Sequence, residues 1–169
     1  AADTLRAHAT TPLILDADRG GVETGDGVVR AADDVAERLV REARAPEGAV
    51  VAVQLPNSPG MIAAVLGCWS AGRIPMPVDH DLAPAALHEL CRATGARALV
   101  ASGRGDALAV RPLDGPAVAR PPDGTALLKV TSGTTGEPRA VALAGAALET
   151  GVAQIVSTMG LEPDDRNLV

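Results

Sequence analysis

The chain has 169 residues, of which 47% are hydrophobic and 21% charged, and its formal net charge is −6. This length and composition fit one folded domain and exclude a disordered chain. The acidic balance argues against nucleic acid as a partner, and no run approaches the roughly 20 apolar residues of a membrane span.

Three elements are predicted in the first third of the chain. The apolar run at residues 11–17 predicts a strand that ends in a glycine turn. Residues 31–45 place apolar side chains at helical spacing, with acids early and arginines late, which suits the dipole of a helix. The Val-rich run at residues 49–55 predicts a strand covered on both faces, as in a parallel sheet.

The alternation of strands and helices continues to residue 102. Residues 56–72 predict a helix capped by Asn57 or Ser58. Two prolines in residues 73–78 predict an edge strand or a crossing between layers. Residues 83–95 predict a helix and residues 96–102 a strand. The predicted fold class is therefore α/β, a mostly parallel sheet with flanking helices. The first of these helices carries an apolar stripe of Met61, Ile62, Val65, Leu66 and Trp69.

The rest of the chain is less regular. Residues 102–125 are rich in Gly, Pro and Asp and predict a connecting loop with one or two short strands. Apolar runs on both sides of residues 131–139 predict strand anchors for that stretch. Residues 144–160 predict a helix, and residues 161–169 a turn and the start of a strand. Because a domain rarely stops on a new strand, we expect the chain to be part of a longer protein.

The isolated chemical groups favour structural roles. Cys68 and Cys91 fit no metal or redox spacing, which is typical of small buried side chains in a reducing cytoplasm. His80 lies between Asp79 and Asp81, a trio that more often forms a solvated turn than an acid–base site. We therefore predict a cytoplasmic protein and assign no metal ligand.

Residues 131–139, TSGTTGEPR, combine four hydroxyl side chains, two glycines and an arginine. Glycines allow backbone N–H groups to approach a ligand and form an anion-binding concavity. Arginine adds a planar cationic fork suited to phosphate. The same residues are also usual in mobile linkers. On composition, a linker and a phosphate loop remain about equally favoured.

The order of these residues carries a resemblance. Thr131 to Pro138 match without a gap the signature Thr-Ser-Gly-Ser/Thr-Thr-Gly-x-Pro-Lys-Gly. The chain thus resembles the adenylate-forming superfamily, which comprises acyl-CoA synthetases, luciferases and the adenylation domains of peptide synthetases. Residues 51–79 are similar to the strand–helix–strand that precedes the signature. The sequence departs from the pattern at Arg139 and Ala140, where the superfamily has lysine and glycine.

The resemblance implies a fold and an activity. Residues 1–169 would form a partial N-terminal adenylation domain, the first α/β subdomain, with the remainder of the enzyme absent. The full enzyme would use ATP and Mg²⁺ to activate a small carboxylic acid, and CoA or an acyl or peptidyl carrier protein would accept the acyl group. This piece would hold no catalytic residue and be inactive alone. Its implied contacts to ATP phosphate are Thr131, Ser132, Gly133, Thr134, Thr135, Gly136 and Arg139.

Two other functions stay open from the sequence. The chain could be a free-standing α/β module that binds another phosphate or anion. Alternatively, it could be a degenerate relative that acts in protein interaction, with Arg139 and Ala140 as marks of lost activity. The coding sequence that follows residue 169 would distinguish these two from a ligase.

Overall fold

The computed structural model describes residues 10, 12–16, 21–105, 107–114, 120–131, 139–162 and 165. In chain order, the elements within these residues are β1 (Pro12–Asp16), β2 (Gly21–Thr24), α1 (Gly25–Arg41), β3 (Val50–Gln54), α2 (Pro59–Ser70), β4 (Ile74–Val78), α3 (Pro84–Thr94), β5 (Ala98–Ser102), β6 (Leu108–Pro112), β7 (Thr125–Thr131), β8 (Arg139–Ala144) and α4 (Gly145–Met159). None of these described helices combines the length and apolar character that crossing a bilayer requires.

A four-stranded sheet in the order β4-β3-β5-β6 lies at the centre of the fold. Strand β3 pairs in parallel with β4 and β5, and β6 runs antiparallel to β5. Val51, Ala52 and Val53 of β3 have no exposed surface. The predictions of a mostly parallel sheet with helices and of a strand covered on both faces are confirmed. The proline-containing strand β4 lies at the edge, as predicted.

Two apolar clusters cover the two faces of this sheet. On one face, α1 and α2 pack on alternate side chains of β3, including Val51 and Val53. On the other face, α3 and strand β7 pack on Val50 and Ala52. The alternation of side chains along a strand explains this division. Strand β7 is therefore held on the opposite face from α2.

Helix α1 begins earlier than the sequence pattern indicated. The predicted helix at residues 31–45 is found at Gly25–Arg41. Thr24 is the N-cap, and its hydroxyl accepts a hydrogen bond from the backbone N–H of Gly27 at 3.2 Å. The sequence pattern did not indicate this start, because the first turn contains two glycines and glycine is a weak helix former. Tertiary packing outweighs that propensity, since Val28 and Val29 directly after the glycines are buried.

Only part of the predicted apolar stripe of α2 faces the core. Met61 and Leu66 pack against buried clusters, but Ile62 is 44% and Trp69 40% exposed. The buried residues of the helix are Ala63, Ala64, Gly67 and Cys68. A Cβ placed on Gly67 would lie 2.6 Å from the carbonyl oxygen of Ala32 in α1. Helix α1 thus lies so close that only small side chains fit between the helices. The prediction of a cap is confirmed, with Ser58 as the N-cap.

The segment predicted as a loop at residues 102–125 contains β6, and Leu113 N–H donates to the Arg97 carbonyl beside the sheet. Its boundaries as a linker stay a prediction, because residues 106 and 115–119 lie outside the described residues. The predicted helix at residues 144–160 is found as α4. The strand predicted within residues 161–169 falls largely outside the described residues.

The close approach of the two helices gives a prediction for two glycine substitutions. Gly67→Ala should lower the free energy of unfolding by about 1–3 kcal/mol, because the added methyl group meets backbone and must push α1 away. Gly151→Ala is the matched control in α4, where a Cβ meets nothing within 4 Å. It should stabilise by up to about 1 kcal/mol through helix propensity. Urea unfolding measures both, and equal effects of the two substitutions would contradict the packing argument.

Candidate functional site

The candidate site lies at the loop end of the β7–β8 hairpin. The two strands are antiparallel, and their last register pair joins Thr131 to Arg139. The Thr131 hydroxyl donates a hydrogen bond to the Arg139 carbonyl oxygen at 3.3 Å. The seven residues 132–138 connect this pair. The expected strand anchors on both sides of the loop are therefore present.

The structure locates two of the seven predicted phosphate ligands. Thr131 and Arg139 face each other across the hairpin, and both are exposed. The other five, Ser132, Gly133, Thr134, Thr135 and Gly136, lie outside the described residues. Their role as phosphate ligands stays a prediction.

The single lysine of the chain joins this site. Side chains alternate along β7, so Leu128 and Val130 face the core while Lys129 and Thr131 are exposed. Lys129 thus lies on the same face as Thr131, two residues away. Lys129 was not among the predicted site residues, although the alternation of apolar and polar residues in LLKVT contained the signal. The lysine adds a mobile point charge beside the planar guanidinium of Arg139.

The electrostatics of the hairpin differ from those of the whole chain. The described strands β7 and β8 contain Lys129 and Arg139 and no acidic residue. The chain as a whole carries a net charge of −6. The two described strands are therefore locally cationic, and their lysine, their arginine and the Thr131 hydroxyl are groups that can bind the oxygens of a phosphate chain.

Alanine at position 140, where the superfamily pattern has glycine, is compatible with the backbone found there. Ala140 pairs with Val130 as a regular residue of β8. Among the described non-glycine residues, only Arg44 has a positive φ. Since Ala140 lies in ordinary extended backbone, the conformational freedom of glycine is not needed there.

The cavities among the described residues lie elsewhere. Two surface grooves of about 280 and 340 Å³ share Glu47 and Arg120 in their linings. Both adjoin the amino ends of the parallel strands, and neither includes Thr131 or Arg139. The described residues therefore form one exposed wall of the candidate site and do not enclose it.

The remaining chemical groups behave as predicted. Cys68 and Cys91 are free and buried. Burial raises the pKa of Cys68 to about 12, opposed by the nearby Arg73, and burial also raises the pKa of Cys91. His80 contacts Asp79 at 3.5 Å and Asp81 at 3.2 Å, and all three side chains are exposed. This trio is a solvated turn.

The chain was compared with known proteins. The family model described as AMP-binding enzyme matches residues 5–119. The chain belongs to the AMP-binding enzyme family. The family match ends before the hairpin, so it is independent of the TSGTTGEPR motif. Pyochelin synthetase PchE of Pseudomonas aeruginosa is 33% identical over 140 residues, which cover 76% of this chain and 10% of PchE.

Solved structures share the fold. The complex of VinN with 3-methylaspartate superposes with a TM-score of 0.76 at 21% identity, covering 97% of this chain and 51% of VinN. The o-succinylbenzoate CoA synthetase MenE of Bacillus subtilis, in complex with AMP, has a TM-score of 0.71 at 20% identity, covering 96% of this chain and 47% of MenE. These likenesses confirm the α/β fold of the adenylate-forming enzymes. The chain spans about half the length of these solved proteins and a tenth of PchE.

The buried thiols of this family member give a prediction of chemical reactivity. At pH 8, iodoacetamide should modify Cys68 and Cys91 slowly in the native protein, because the thiolate is the nucleophile and burial disfavours it. Mass spectrometry should show both modified rapidly in urea. Fast modification of Cys68 at native conditions would contradict its burial.

Proposed function

We propose that the chain contributes the ATP phosphate-binding loop of a carboxylic acid-activating ligase, as the N-terminal part of that enzyme. The observation that carries the proposal is the ordered TSGTTGEP match held between two antiparallel strands, with Thr131 and Arg139 at its ends. Membership of the AMP-binding family supports it. The AMP complex of MenE, which has the same fold, supports a nucleotide as the ligand.

The chemistry assigned to the loop is electrostatic. In the proposed reaction, the substrate carboxylate attacks the α-phosphorus of ATP, an acyl-adenylate forms, and pyrophosphate leaves. The Thr131 hydroxyl and the Arg139 guanidinium would bind the oxygens of the departing group and neutralise the charge that develops on it. Lys129 would strengthen the positive electrostatic potential beside the loop. Each role uses a group that the hairpin exposes to solvent.

The cation in this proposal is Mg²⁺. When bound, it would neutralise part of the charge on the nucleotide phosphates. Among the described residues, Thr131 would hold it through the hydroxyl oxygen, which is a hard ligand of the type that Mg²⁺ accepts. We assign it no carboxylate ligand among the described residues.

The acyl acceptor in this proposal is a thiol, either of CoA or of a carrier protein. MenE is a CoA synthetase by name, and PchE is a pyochelin synthetase. The relatives therefore support a ligase of the acid–thiol class more than a free-standing anion-binding module. The identity of the acid would be read from a panel of carboxylic acids.

The proposal predicts the effect of removing the cation at the end of the loop. In the full-length protein, Arg139→Ala should slow ATP–pyrophosphate exchange by about 10²-fold, because a group that stabilises departing charge is lost. Arg139→Lys should retain most of the rate, since lysine occupies this position in the superfamily pattern.

A matched control is Arg92→Ala, which removes an exposed arginine from the last turn of α3. It should leave the exchange rate within about twofold and lower the free energy of unfolding by a few tenths of a kcal/mol, because a cation at the helix end is lost. An unchanged rate in Arg139→Ala would remove Arg139 from the mechanism. Absence of exchange with every acid in the panel would overturn the ligase proposal.

A further inference from the structure

Trp69 makes a long-range hydrogen bond to the strand that leads to the loop. It is the only aromatic residue of the chain and lies near the end of α2. Its indole Nε1–H donates to the backbone carbonyl oxygen of Ala126 in β7 at 2.7 Å. Because α2 and β7 pack on opposite faces of the central sheet, this bond joins the two layers.

The acceptor lies at an irregularity in the hairpin. Thr125 pairs with Ala144 and Leu127 with Leu143, so Ala126 is an extra residue without a partner in β8. Such a bulge leaves one residue outside the regular hydrogen-bond ladder. An indole N–H is a donor only and needs an acceptor. The Trp69 N–H and the Ala126 carbonyl oxygen therefore form a hydrogen bond at a residue that has no partner in the β7–β8 ladder.

Two kinds of attachment hold β7 among the described residues. The first is apolar: Leu128 is 5% exposed and packs, together with the partly buried Val130, in the cluster of β4 and α3. The second is the Trp69 bond at Ala126, near the start of the strand. Two attachments on an extended strand fix both its position and its tilt. The tip of the hairpin begins at Thr131, five residues and roughly 16 Å beyond Ala126 at the rise of a strand.

We propose that Trp69 is a positioning residue for the phosphate loop, acting through the Ala126 carbonyl and strand β7. This inference rests on the proposed function of the loop. The indole touches neither Thr131 nor Arg139, so its effect reaches the nucleotide only through the placement of the hairpin. Loss of the N–H should weaken nucleotide binding and leave the chemistry of the bound state almost unchanged.

The test compares Trp69→Phe with Ile62→Ala in the full-length protein. Trp69→Phe keeps an aromatic ring and removes the donor. Ile62 is the matched control, because it is a similarly exposed apolar residue two turns earlier on the same side of α2. Trp69→His retains a ring N–H and serves as the rescue variant.

Two measurements are made on each variant. In ATP–pyrophosphate exchange, Trp69→Phe should raise the KM for ATP about fivefold, as expected for one hydrogen bond, with kcat within about twofold. In amide hydrogen exchange read by mass spectrometry, β7 and β8 should exchange faster in Trp69→Phe than in the wild type. Ile62→Ala should change neither, and Trp69→His should lie between wild type and Trp69→Phe.

The outcomes separate this inference from the proposed function. A wild type without exchange activity on any acid would overturn the proposed function and with it the role of Trp69 toward nucleotide. Amide exchange would still show whether Trp69 holds the hairpin. Unchanged KM and amide exchange in Trp69→Phe, or equal effects in Ile62→Ala, would overturn the positioning role. Failure of both Trp69 variants to fold would also overturn it, because Trp69 would then determine the fold as a whole.

Discussion

The contact between α1 and α2 at Gly67 is the constraint on which the rest of the structure depends. The one tryptophan of the chain is 40% exposed and there is no Phe or Tyr, so small aliphatic side chains must fill the core. Native packing density then requires the layers to approach closely. Gly67 permits this approach, because the Ala32 carbonyl occupies the space that a Cβ would need. Successive helical residues turn by 100°, so Trp69 points away from α1 and toward the start of β7.

The order and type of most elements could be predicted from the sequence, since valine runs, proline caps and terminal glycines are local signals. Gly95, for example, closes α3 with a φ of 68°. The buried face of α2 could not be predicted, because the helix is apolar on all sides and periodicity gives no contrast there. The start of α1 was missed for the opposite reason: packing of Val28 and Val29 overrides two glycines that locally oppose a helix.

For the candidate site, the sequence predicted the loop but not its surroundings. The TSGTTGEPR order is a strong signal because it matches the superfamily signature without a gap up to Pro138, whereas its composition alone left a linker equally favoured. The register that brings Thr131 opposite Arg139 was expected only in the general sense of two strand anchors. Trp69 carries no such signal, and Lys129 carries one only in the alternation of apolar and polar residues in LLKVT. Their relation to the loop depends on strand alternation and on a bulge at Ala126, which are properties of the folded hairpin.

The hairpin that carries the loop is attached to the central sheet and its helices through strand β7. Residues 5–119 match the family model, and this region contains the sheet and the helices α1 to α3. The loop lies beyond it, on a hairpin whose second strand is exposed along almost its whole length. A two-stranded hairpin alone has marginal stability in water. The place of the loop relative to the sheet is therefore set by what holds β7: the apolar packing of Leu128 and Val130 and the indole hydrogen bond at Ala126.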